Sequence, residues 1–132
     1  MSAIYWSLTA LYVMRGDEWE QHSPMTKSEI VEFVVECQNE DGGFGGNLNM
    51  NSHILFTLSA VQILYTLNSL DTVDVEAIVN YVHSLMSPDG SFKGDAFGEV
   101  DTRFSYCAVS CLKLIDALDT VDRDLVSSFI LS

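Results

Sequence analysis

Basic residues are scarce in this chain. Six Lys and Arg stand against 19 Asp and Glu, a net charge of −13 over 132 residues. That balance repels phosphate backbones and anionic lipid surfaces, so nucleic-acid binding is not among the expected functions. An acidic exterior suits basic partners or plain solubility. Cysteine is scarce too. Cys37, Cys107 and Cys111 show no CxxC spacing and sit at apolar helical positions, the pattern of reduced, buried thiols in a cytoplasmic protein. The N-terminal apolar run, Ser2 to Met14, is only 13 residues long and has no basic residue ahead of it. It is too short to span a bilayer and lacks the start of a signal peptide, so the chain is not expected to be an integral membrane protein. Its Tyr5, Trp6, Thr9 and Tyr12 predict a buried helix instead.

Apolar residues are plentiful, at 48% of the chain with a mean hydropathy of +0.18. That is enough for one packed domain of this length. After the first helix, Arg15 to Met25 reads as a polar loop broken by Gly16 and Pro24, with Trp19 a stray aromatic. Thr26-Lys27-Ser28-Glu29 has the form of a capping box and opens a helix over Lys27 to Asn39, with Ile30, Phe33, Val34 and Cys37 on one face. A DGGFGG turn, Asp41 to Gly46, ends it. Ser52 to Leu67 is apolar almost all round and predicts an inner helix packed on several sides. Val75 to Met86 is amphipathic and stops at Ser87-Pro88-Asp89-Gly90. A second apolar helix, Thr102 to Leu118, and a last one opening at Asp122 complete the predicted all-α chain.

A shift of 48 positions superposes much of this. Asp41-Gly42 falls on Asp89-Gly90, Phe44 on Phe92, and Ala60, Val61 and Leu64 on Ala108, Val109 and Leu112. Leu70-Asp71-Thr72-Val73-Asp74 falls on the identical Leu118-Asp119-Thr120-Val121-Asp122. Thr26 stands 48 before Asp74, so the amphipathic helices open at equivalent points. Repeats of approximately 1–40, 41–88 and 89–132 follow, each a turn, an inner helix, an acidic connection and an outer helix. Such units stack into a solenoid or close into an α/α barrel. The last unit breaks off mid-helix, which predicts an incomplete half-barrel and a fragment or truncated product.

These motifs resemble the β subunits of protein prenyltransferases, and within that family the type II (Rab) geranylgeranyltransferase β subunit. The residues that carry the resemblance are Ile4-Tyr5-Trp6, Cys37-Gln38 with Gly42-Gly43, the run His53 to Leu64, Asp89-Gly90-Ser91-Phe92, Gly94-Asp95, and Gly98 to Ser105 (GEVDTRFS). The match extends over almost the whole chain apart from the loop around Gly16 to Pro24, and over about the N-terminal half of the family's subunit. It implies an α/α toroid around an apolar funnel, and transfer of a geranylgeranyl group from geranylgeranyl diphosphate to C-terminal cysteines of Rab GTPases. It implies as partners a prenyltransferase α subunit and a Rab GTPase with its Rab escort protein.

By the same resemblance, Ser2, Tyr5, Trp6, Leu58 and Tyr106 fall at lipid-contacting positions and Arg103 near the protein substrate's C-terminal tail. Small residues at Ser2 and Leu58, where farnesyltransferases carry bulky aromatics, favour the longer lipid. The family's zinc ligands and diphosphate-binding cluster have no counterpart here. No D-x-C pair is present, and His22, His53 and His83 share no ligand spacing, so no metal ligand and no catalytic residue are assigned to this chain. Alone, it is expected to be inactive. Two other readings stay open: a non-catalytic helical-repeat binding module, and part of a farnesyltransferase or another toroid enzyme such as a terpene cyclase. Arg103 could also simply pair with Asp101 or Glu99. Tyr5 and Trp6 are expected to be buried whichever reading holds.

Overall fold

The computed structural model describes residues 1–132. Six α-helices follow one another: α1 (Ser2–Arg15), α2 (Lys27–Glu36), α3 (Ile54–Thr66), α4 (Val75–Ser84), α5 (Thr102–Leu114) and α6 (Arg123–Leu131). Short 3₁₀ turns precede α2, α4 and α6. None of the helices is long and apolar enough to cross a membrane.

The helices sort into two layers by how they bury their surface. In α3, eight of thirteen residues are buried, on more than one side, because α1 packs on one flank and α5 on the other. In α4 only Ile78, Tyr81 and Val82 are buried, a single stripe at i, i+3 and i+4. Thus α1, α3 and α5 form an inner layer, and α2, α4 and α6 cover it from outside. The inner helices meet along their N-terminal halves: Ser2 Oγ is 3.3 Å from Ser59 Oγ, and the His53 ring meets Phe104 edge-on at 5.4 Å.

Local signals set each boundary. Thr26 and Glu29 make the capping box in full, the Thr26 hydroxyl accepting from Glu29 N and the Glu29 carboxylate from Thr26 N. Asp74 and Asp122 cap α4 and α6 at the equivalent positions. The inner helices stop earlier than the apolar pattern suggests. Asn68 and Asp116 take left-handed backbone, and Ser69 N and Ala117 N reach back to Leu64 O and Leu112 O at 2.8 Å each. That is a Schellman closure, and it ends α5 at Leu114 rather than Leu118. Similarly α2 ends at Glu36, because Cys37 and Gln38 leave the helix to pair with the turn; Gly45 N donates to Cys37 O at 3.1 Å.

The turns join one unit to the next. Phe44 and Phe92 are fully buried plugs, bridged to Gln38 and Met86. Gly42 (φ +87°) and Gly90 (φ +86°) press against the backbone carbonyls of Ala77 and Leu125, leaving no room for a side chain. Here the positive φ and the close approach both demand glycine.

Residues 16–25 are not the polar loop their composition suggests. Gly16–His22 forms a 3₁₀ helix, and Trp19 is buried, stacked on Tyr12 with centroids 5.6 Å apart. The stray aromatic is a core residue that seals the outer side of α1.

Candidate functional site

The inner helices enclose a groove of about 440 Å³. Helix α3 contributes Leu55, Leu58, Ser59 and Gln62, one face at i, i+3, i+4 and i+7. Helix α5 contributes Arg103, Tyr106 and Cys107, the same triplet shifted by 48. Helix α1 contributes Ser2, Tyr5 and Trp6, the same triplet again, but 53 positions before its α3 counterpart. The five extra residues lie between α1 and α2, where the 3₁₀ helix over 16–22 replaces the three-residue turns of the later units.

All six residues singled out from the sequence therefore line one cavity: Ser2, Tyr5, Trp6, Leu58, Arg103 and Tyr106. Their burial departs from expectation. Tyr5 is half-buried, and Trp6 is 67% exposed rather than buried. Tyr106 is 64% exposed, whereas Leu58 belongs to the core at 6%. The reason is which side of α1 packs. Leu8 is its buried residue, and the side bearing Trp6 opens onto the groove. Large aromatics held out of the core, on a concave face, supply contact area that folding itself leaves unused.

Four polar groups interrupt this wall, and three are modest. Ser59 Oγ donates to Leu55 O at 3.0 Å, which leaves it to accept from Ser2; Gln62 lies one turn further on. The fourth is Arg103. Its Nε and Nη2 each lie 3.0 Å from the two carboxylate oxygens of Asp101, a bidentate pair at the start of α5. Asp101 also caps the helix, accepting from Arg103 N at 2.8 Å. These bonds, the guanidinium's first, hold the Asp101 carboxyl below its ordinary range and raise the guanidinium's own pKa. Two of the five guanidinium N–H donors are used, and the side chain is 70% exposed, so the rest remain available on the groove. Of the two partners considered for Arg103, it pairs with Asp101 and not with Glu99.

A zinc ion does not fit the residues present. Zinc takes thiolate, imidazole or carboxylate donors, three or four of them converging on one point. Burial pushes the thiols of Cys37 and Cys107 up and that of Cys111 to about 12, so all three stay protonated near neutrality. His53 Nδ1 accepts from Leu55 N at 3.1 Å, and His83 Nε2 meets Thr120 Oγ1 at 2.8 Å. No three His, Cys, Asp or Glu side chains converge.

Leu55, Phe56, Ser59, Gln62 and Cys107 line the groove without having been singled out. Helical spacing was the available signal: Ser59 and Gln62 stand one and four residues beyond Leu58, and Cys107 four beyond Arg103.

The family model for the prenyltransferase alpha-alpha toroid domain matches this sequence over residues 1–132. A Dictyostelium discoideum protein named as a probable geranylgeranyl transferase type-2 subunit beta is 43% identical over 64 residues, 48% of this chain and 17% of that protein. Geranylgeranyl transferase type-2 subunit beta 1 of Arabidopsis thaliana is 42% identical over 64 residues, 48% of this chain and 18% of its own length. The Saccharomyces cerevisiae subunit beta is 40% identical over 72 residues, 54% of this chain and 21% of its own length. The matched segments thus span about a fifth of each relative.

Proposed function

Because the chain belongs to the prenyltransferase alpha-alpha toroid family, we propose that it forms part of the isoprenoid-binding wall of a type II protein geranylgeranyltransferase β subunit. One observation carries this reading: three inner helices offer the same i, i+3, i+4 face to one groove, seven of whose eleven lining residues are hydrophobic. An isoprenoid is a long, apolar chain ending in a charged group. It needs a wall of aliphatic and aromatic side chains with polar groups confined to the rim.

Trp6 and Tyr106 would flank the lipid, Leu58 would form the floor, and Ser2 would leave space where a larger side chain would shorten the pocket. Arg103, held in place by Asp101, would offer its spare donors to the carboxylate of the acceptor protein's tail. In the complete enzyme we expect a prenyltransferase α subunit as partner and a Rab GTPase with its escort protein as substrate, acting in the cytoplasm. The family's zinc would activate the acceptor thiol. These 132 residues offer no ligand set for it, so no step of thiol activation is assigned to them.

Fluorescence titration tests the reading. A dansyl-labelled geranylgeranyl diphosphate added to the chain should quench Trp6 saturably and weakly, with no need for zinc. Tyr106→Ala should weaken binding about fivefold, for one lost aromatic contact. Leu58→Trp should turn the preference toward the farnesyl analogue. Absence of Trp6 quenching would sink the lipid-wall assignment, and tight binding would contradict the view that the diphosphate is held elsewhere.

A further inference from the structure

The apolar groove stops abruptly. Three triplets, one from each inner helix, form its walls, and they end at Trp6 on α1, Ser59 on α3 and Cys107 on α5. Beyond them, toward the C-terminal ends of the helices, one residue alone lines it. That residue is Gln62, seven positions after Leu55 and therefore two turns along the same face of α3.

The repeat marks the same level on the two flanking helices. Gln62 stands 53 positions after Thr9 and 48 before Ser110, the offsets that relate the triplets themselves. All three residues are half-buried. Each inner helix thus carries a polar side chain at one height, directly past the aromatic and aliphatic part of the wall.

Gln62 is not engaged elsewhere. Its amide makes no hydrogen bond within the chain, and the polar side chains that are both sealed off and unpartnered are the Tyr81 and Ser105 hydroxyls, so the amide is accessible. Ser59, three positions before it, is committed by contrast: its hydroxyl donates to Leu55 O at 3.0 Å and lies 3.3 Å from Ser2 Oγ. An accessible amide, both donor and acceptor, holds water. An aliphatic chain laid on it would displace that water and offer nothing in exchange, leaving the amide desolvated and unpaired.

We propose that Gln62 is a specificity-determining residue of the apolar groove, the polar stop beyond which the wall gives a longer isoprenoid no further hold. The inference rests on the isoprenoid reading above and adds an upper limit to it. Ser2 and Leu58 leave room for a fourth isoprene unit, whereas a fifth would have to lie over the amide. Thr9 and Ser110 carry the same polar level onto the flanking helices. Polarity is the device, and bulk is not. A methionine of the same length would fill the same space and offer a fifth unit an apolar surface.

Competition against dansyl-labelled geranylgeranyl diphosphate on the 132-residue chain, read through Trp6 quenching, tests the stop. The competitors are unlabelled geranylgeranyl diphosphate and geranylfarnesyl diphosphate, one isoprene unit longer. On an uninterrupted apolar wall the extra unit would raise affinity about tenfold or more. With Gln62 in place the two lipids should compete within about twofold of each other. In Gln62→Met, and in Gln62→Leu as a second apolar variant, the longer lipid should gain about tenfold while the shorter one changes by less than about twofold. A merely structural role would move both lipids together. A tenfold advantage of the longer lipid in the unaltered chain, or no selective gain in the two variants, would overturn the stop and leave the lipid wall standing. Failure of both lipids to compete would remove the wall and the stop together.

Discussion

The unit that opens at Asp41 and the one that opens at Asp89 are close copies with different surfaces. Both place a positive-φ glycine on the next outer helix, bury a phenylalanine plug, close the inner helix on a left-handed residue and cap the outer helix with aspartate. They part where side chains face a groove. Leu55 and Leu58 become Arg103 and Tyr106 in the apolar groove. Stacking holds the shared positions constant. A groove face is released from that constraint, so chemistry accumulates there.

The largest test of the shared layer is Gly42→Ala. Its Cβ would enter the Ala77 carbonyl at a backbone that favours glycine, and neither side can yield. A loss of about 3 kcal/mol or more by urea denaturation is expected. Gly98→Ala, also at positive φ but with open space around it, should lose only about 1–2 kcal/mol. Equal losses would mean that the close approach of the turn to the outer helix adds nothing to the cost of the backbone conformation.

A pair at one repeat position should respond in opposite directions. Thr57 Oγ1 accepts from Phe44 N at 3.0 Å, whereas the buried Ser105 Oγ has no partner. Thr57→Val should cost about 1–3 kcal/mol by stranding a buried N–H, while Ser105→Ala should be neutral or slightly stabilising. Smaller still is the coupling between Gly43 and Tyr81. Gly43→Ser alone should destabilise, because its Cβ would stand 2.6 Å from Ser52 Cβ and 2.7 Å from Tyr81 Cζ, and the added change Tyr81→Ala, which removes that Cζ, should recover about 1 kcal/mol as coupling in a double-mutant cycle. Strict additivity would break that comparison.

The smallest expected effect is electrostatic. Asp89 and Asp101 both titrate below the ordinary carboxylate value of 3.8, Asp89 through the Ser91 hydroxyl and amide, Asp101 through Arg103. A depressed folded-state pKa adds stability that is complete above the unfolded value and disappears as pH falls through the folded one. Thermal melts should therefore be flat from neutrality down to about pH 5 and decline below about pH 4 for these two groups. Asp101→Asn should remove part of that decline and leave the Asp89 part in place.

Much of this was legible before any coordinates. The repeat, the caps at Thr26, Asp74 and Asp122, the inner and outer helix types and six lining residues of the apolar groove can all be read from residue order, the last through family resemblance. Less could be read of exposure. Trp6 and Trp19 exchange roles relative to composition: the one in the apolar helix faces outward, and the one in the polar segment is core.

By itself the sequence determined everything that depends on near neighbours along the chain. Hydrogen-bonded caps, left-handed closures and hydrophobic period act over a few residues, and a five-residue identity repeated at fixed distance announces equal units. Tertiary structure alone decided which flank of each helix is covered. That depends on the angle and offset at which one unit seats on the next, and α1 presents the same face as α3 and α5 although five more residues separate it from its outer helix. Three helices could then present the same triplet to one groove, because residues far apart in sequence meet only after the units have stacked.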